Sequence, residues 1–113
     1  MRVNKELSKG SHEIIILKLL SRKDMYGYQI IHEMESLSNN VFSMSQGSLY
    51  PFLHIMESKG YIKSYEQTEK GRKRRFYSMT DDGNGVLKDK EDQWLLFINA
   101  MGQILRGNEY EQA

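Results

Sequence analysis

The spacing of apolar residues changes character twice along this chain, and that change limits the folds open to it. From Ser11 to Gly60 apolar side chains recur at helical intervals, from Tyr61 to Met79 β-favouring residues take over, and from Asp81 the helical interval returns. The order is helices, a hairpin, then a helix, so the fold class is mainly α with a small β-hairpin (α+β). Ile14, Ile15, Ile16, Leu17, Leu19 and Leu20 are apolar on more than one face of the first helix, before the polar Ser21-Arg22-Lys23-Asp24. In a chain of 113 residues one such face serves the protomer's own core, and the other needs a second chain. Met25 to Leu37 reads as an amphipathic helix with Tyr26, Ile30, Met34 and Leu37 on its apolar side, and Ser38-Asn39-Asn40 ends it.

Either Ser45 or Ser48 can cap a third helix, in which Leu49, Phe52, Leu53 and Met56 repeat at helical spacing up to the Lys59-Gly60 stop. Pro51 is expected in about the first turn, where its missing N–H costs little. Tyr61-Ile62-Lys63-Ser64-Tyr65 and Arg74-Arg75-Phe76-Tyr77-Ser78-Met79 flank Glu69-Lys70-Gly71-Arg72, a hairpin with a basic, glycine-containing tip. Thr80-Asp81-Asp82-Gly83 has the acidic residues of a helix N-terminus. In the last helix Leu87, Trp94, Ile98, Met101 and Leu105 stand 7, 4, 3 and 4 residues apart, a heptad-like seam. Leu95, Leu96 and Phe97 widen it beyond one stripe. The predicted division is residues 1–80 as a DNA-binding domain of winged helix-turn-helix type, 81–106 as a C-terminal dimerisation helix and 107–113 as a frayed tail.

Charge is more informative by position than in total. The chain carries only +1 overall, yet Lys59 to Arg75 holds seven basic residues against two acidic ones, a net of +5 that leaves −4 for the rest. A localised basic patch is the electrostatic footprint of nucleic-acid binding, although such a run can also be a solvated hairpin tip. Without cysteine the chain has no disulfide, thiolate nucleophile or thiolate zinc site. Met1 to Gly10 has no apolar core of signal-peptide length and no segment reaches the length of a membrane span, which fits a cytoplasmic protein. His12, His32 and His54 fall on different elements with no pair at i, i+4, so no metal site is expected, and no cofactor either. No phosphate loop, nucleophile elbow or carboxylate pair marks an enzyme.

The start of the third helix has the short polar side chains that let a helix approach base edges in the major groove. Ser45, Gln46, Gly47, Ser48 and Tyr50 stand there; Gln46 can pair bidentately with adenine, and Ser48 or the Tyr50 hydroxyl can bond phosphate or base. The basic tip can reach adjacent phosphates or the minor groove. Together these residues resemble the PadR-like family of transcriptional regulators. The resemblance rests on Tyr26-Gly27-Tyr28-Gln29-Ile30, Gly47-Ser48-Leu49-Tyr50-Pro51, Glu57-Ser58-Lys59-Gly60-Tyr61-Ile62 and Gly71-Arg72-Lys73-Arg74-Arg75-Phe76-Tyr77 with Thr80, in the family's order from Ile14 to Gly83. Gln46 stands where that family usually has Glu, and Arg72-Lys73 where it often has Gly-Arg.

The resemblance implies a DNA-binding repressor that holds a pseudo-palindromic operator as a homodimer, with DNA contact by Arg72, Lys73 and Arg74. Arg75 is less clear, because strand alternation can turn it to another face. It implies pairing of the first and last helices with those of the partner, here through Ile15, Leu87, Met101 and Leu105. In some short members similar to multidrug-binding repressors a Trp from each last helix stacks on flat aromatic compounds. Trp94 holds the corresponding place, with Ile14 and Ile98 as the neighbouring walls of a site for a small aromatic effector; an ordinary dimer-core Trp is the other reading. A winged-helix protein-interaction module without specific DNA binding is the alternative function.

Overall fold

The computed structural model describes residue 8 and residues 10–107, so most of Met1–Gly10 and residues 108–113 of the expected tail lie outside the described residues. Helix α1 is His12–Arg22, strand β1 Met25–Tyr26, α2 Gly27–Leu37, α3 Gln46–Ser58, β2 Ile62–Glu69, β3 Arg72–Met79 and α4 Asp81–Arg106. The strands form one antiparallel sheet in the order β1-β3-β2. A winged helix-turn-helix fold results, as the period of the sequence implies.

Three helix starts follow from single side chains. The Ser48 N–H donates to Ser45 Oγ at 3.2 Å, so Ser45 is the cap of α3. The Tyr26 N–H donates to Gln29 Oε1 at 3.2 Å at the start of α2. At α4, Gly83 N–H donates to Thr80 Oγ1 at 3.0 Å, while the Thr80 hydroxyl donates to the Gly60 carbonyl at 2.6 Å. One side chain thus ends the wing and begins the last helix. Helix α4 is also pressed on the backbone there: a Cβ on Gly83 would stand 2.1 Å from the Tyr61 carbonyl oxygen and 2.9 Å from Met79 Cγ. Gly83→Ala is therefore expected to cost on the order of 2–4 kcal/mol of stability, lowering Tm by about 10 °C or more in a thermal melt.

Ile16, Leu17, Leu19, Leu20, Ile30, Met34, Leu49, Leu53, Met56, Ile62 and Tyr77 fill a single core under the sheet. Four sequence expectations need correction. Met25 and Tyr26 begin no helix; they pair with Tyr77 and Phe76 as a short strand. Pro51 is the sixth residue of α3, in its second turn, so the Gly47 carbonyl loses its i+4 donor on the solvent side, where water can replace it. Leu37 follows Met34 on the same side of α2 but stays 60% exposed, lining a groove beside α4 instead of entering the core. Leu87, expected on the dimer seam, is 4% exposed and belongs to the protomer's own core, because α4 lies on α1 over its first turns. The ion pairs Lys18–Glu91 at 2.9 Å and Lys90–Glu13 at 3.3 Å fasten that contact.

After the turns that face α1, the last helix extends away from the body. The radius of gyration is 16.6 Å and the long axis 64 Å, against about 13 Å expected for the radius of a compact chain of this length. Leu95, Leu96, Phe97, Ile98, Met101, Ile104 and Leu105 are 39–76% exposed along it. That row far exceeds the scattered apolar residues of an ordinary monomer surface.

Candidate functional site

Helix α3 buries Leu49, Leu53 and Met56 and turns Ser45, Gln46, Ser48 and Tyr50 to solvent at its N-terminal end. Capping is what makes this end rigid: Ser45 Oγ holds the Ser48 N–H, and the two serine hydroxyls lie 3.2 Å apart. Tyr50 is 44% exposed, and its ring crosses the first turn of α2. A Cβ on Gly27 would stand 2.6 Å from the Tyr50 Oη and 2.8 Å from its Cζ, so only glycine leaves the phenol in this place.

The wing faces the same end. Lys70 and Gly71 have φ of 52° and 79°, the left-handed pair of a two-residue hairpin turn, and they carry β2 directly into β3. Arg72 and Lys73 follow the turn, opposite Glu69 and Thr68, and both are exposed without an ion pair to a described residue. Tyr26, Tyr28, Gln46, Tyr50 and the run Arg72–Arg75 line one cleft of about 500 Å³ between α2, α3 and the wing. The arrangement joins hydrogen-bonding side chains on a helix end to uncompensated positive charge on a hairpin, and it can hold a polyanion while probing polar edges.

Alternation along β3 divides the four basic residues. The Arg74 guanidinium lies 4.4 Å from the centre of the Tyr26 ring, and its Nε is buried with no partner among the described residues. Stacking of cation on ring offsets part of the missing hydrogen bond. Tyr26 in turn meets Phe76 edge-on at 5.3 Å, and Phe76 stacks on Tyr65 at 5.7 Å. Arg74 is thus half-buried at the wing's base, unlike Arg72 and Lys73. Arg75 leaves β3 on the face opposite Arg74, where its Nη1 donates to Ser64 Oγ at 2.8 Å while the side chain still lines the cleft. Tyr28, assigned no role from the sequence, is 59% exposed in the cleft. Its place at the second position of α2, off the stripe of Ile30 and Met34, was the available signal.

A second concavity lies between α1, α2 and α4. Ile14, Ile15 and Leu19 of α1, Met34 of α2 and Phe42 form one wall of an apolar groove of about 370 Å³, and Trp94, Leu95 and Ile98 of α4 form the other. It brings Ile14, Trp94 and Ile98 together. Trp94 also meets Phe97 edge-on at 5.6 Å. Met101 and Leu105 continue along α4 past the groove, exposed. Among the described residues no three His, Asp or Glu side chains gather as a metal site, and no helix is long and apolar enough to cross a membrane.

The family model described as "Transcriptional regulator PadR-like family" matches residues 16–89, the span from α1 through the first turns of α4. An uncharacterised protein of Lysinibacillus sphaericus is 32% identical over 108 residues, which cover 95% of this chain and 99% of that one. The transcriptional regulator YqjI of Escherichia coli is 31% identical over 84 residues, 74% of this chain but 39% of that longer protein. Among solved structures, a PadR-like transcriptional regulator from Bacillus cereus superposes with a TM-score of 0.82 at 27% identity, over 92% of this chain and 100% of that one.

Proposed function

This chain belongs to the PadR-like family of transcriptional regulators, and we propose that it is a homodimeric repressor that binds a pseudo-palindromic operator. The N-terminal turn of α3 enters the major groove, with Gln46 and Ser48 at base edges and Ser45 and Tyr50 on the backbone. Arg72 and Lys73 take flanking phosphates from the wing tip, and Arg74 lies nearer the wing's base. The observation that carries this reading is the cleft in which the capped, polar end of α3 meets Arg72 and Lys73, which make no ion pair to a described residue. Fluorescence anisotropy with the DNA immediately upstream of its own gene, against scrambled competitor at physiological salt, tests it. Binding that survives the competitor is expected. Binding that the competitor abolishes would reduce the cleft to a nonspecific basic patch and favour a protein-interaction module.

Gln46 is the residue with most to say about sequence. If its amide pairs with adenine N6 and N7, Gln46→Ala relaxes preference at one base pair of each half-site by roughly 1–3 kcal/mol. Affinities measured across a set of single-base operator variants check this; a uniform loss at every variant makes Gln46 a backbone contact.

Control of the repressor is proposed to run through the α1–α4 groove. A flat aromatic effector stacked on Trp94 between Ile14 and Ile98 alters how α4 meets its partner. The two recognition helices then leave the spacing of about 34–36 Å that successive major grooves require. Such a ligand must favour the splayed dimer, since equal affinity for both states shifts nothing. Trp94 is the chain's only tryptophan, so its fluorescence reports the groove directly. Planar cations or flavin-like compounds are expected to quench it saturably and to release the DNA. No quenching at high concentration leaves a repressor controlled by its own abundance.

A further inference from the structure

We infer that Ser64 and Arg75 are positioning residues that clamp the wing onto the recognition helix through Glu57, so that Arg75, although part of the basic run, is not a phosphate ligand. This rests on the DNA-binding reading only for its consequence; the clamp itself is a property of the free protein. Ser64 lies on β2 and donates its hydroxyl proton to Glu57 Oε2 at 2.6 Å, across the junction between wing and α3. Its oxygen accepts Arg75 Nη1–H from β3 at 2.8 Å. One hydroxyl thus joins three elements, donating once and accepting once.

The placement has two physical consequences. Glu57 sits in the last turn of α3, at the end away from Gln46 and Ser48, and its carboxylate bears a charge that the Ser64 hydroxyl alone does not balance. The chain to Arg75 offsets that charge, and Arg75 is thereby engaged before any DNA arrives. Arg72 and Lys73 have no such partner among the described residues. The hairpin, moreover, meets the rest of the fold only along its base, so the angle of its tip depends on a few contacts. On one face these are Arg74 over Tyr26, Phe76 edge-on to Tyr26, and the Tyr65 hydroxyl donating to Asp24 Oδ2 at 2.6 Å. On the other face they are Glu57, Ser64 and Arg75, above the buried Tyr77. A wing held from both faces delivers Arg72 and Lys73 to a fixed place.

The test compares Ser64→Ala, Arg75→Ala and the double variant with the native protein, and Ser64→Thr as the variant that keeps the hydroxyl. In the free protein, residual dipolar couplings report the wing's orientation relative to α3. Ser64→Ala and Arg75→Ala are expected to broaden or shift the wing's orientation alike, with Ser64→Thr close to native. On the upstream duplex each single variant is expected to bind about fivefold more weakly, with the double variant no worse than either and the salt slope unchanged. Unaltered couplings in Ser64→Ala overturn the clamp whatever the DNA result. A shallower slope in Arg75→Ala with native binding by Ser64→Ala makes Arg75 a phosphate ligand instead. If the native protein ignores DNA, the couplings still decide the clamp, and only the functional reading falls.

Discussion

Replacing Met101 and Leu105 together by Glu is expected to turn the protein into a folded monomer that no longer holds its operator. Both side chains lie on the free stretch of α4, beyond the turns that pack on α1, so neither supports the protomer's own core. In the proposed dimer each is buried twice. Full burial of one such side chain contributes about 1.5–3 kcal/mol, and Met101 begins partly covered, so the four losses amount to about 4–6 kcal/mol per dimer before repulsion among four new carboxylates is added. That weakens association by about a thousandfold or more. Sedimentation at micromolar concentration then gives a monomer, while circular dichroism keeps its helical signal. Operator binding falls with it, because one recognition helix retains the contacts of a half-site and loses the gain from tethering two. A variant that still sediments as a dimer would place the seam elsewhere on the apolar row, at Leu96 or Ile104.

What the sequence makes legible here is what local chemistry decides. Ser45 announces α3 and Thr80-Asp81-Asp82 announces α4, because a cap acts on backbone groups within three residues of itself. Strand β1 was hidden for the opposite reason. Met25 and Tyr26 fit the apolar stripe of the helix that follows, and only pairing with Tyr77 and Phe76, about fifty residues away, makes them a strand. Leu87 falls in register with Trp94 and Ile98, but a period cannot say which of two partners a face meets, and its first turns are covered by α1. The basic run shows the same limit at the site. Composition places positive charge between Arg72 and Arg75; alternation and cross-strand neighbours decide that Arg74 stacks on Tyr26 and Arg75 binds Ser64. Trp94 stood out only by resemblance, since its groove is made by three helices whose packing no local pattern records.

Arg72 and Lys73, which make no ion pair to a described residue, carry the other large effect. Each phosphate they neutralise releases condensed counterions, and the logarithm of the binding constant then falls with the logarithm of salt by about 0.9 per contact. A dimer presents two wings, so Arg72→Ala with Lys73→Ala removes four contacts and makes the slope shallower by about 3.6. Over a fourfold rise in salt the native protein should therefore lose about a hundredfold more affinity than the variant, and the two curves converge as salt rises. This dependence separates the wing from the recognition helix. Loss of Gln46 changes which sequence is preferred at every salt, whereas loss of the wing cations weakens binding to all sequences and most at low salt. The Lys70-Gly71 turn gives a control that leaves the charge in place. Gly71 has φ of 79°, so Gly71→Val strains the tip without touching either cation. If aimed charge matters, Gly71→Val weakens binding and flattens the slope; if charge acts only by its presence, the native slope survives in Gly71→Val and is lost in the double alanine variant.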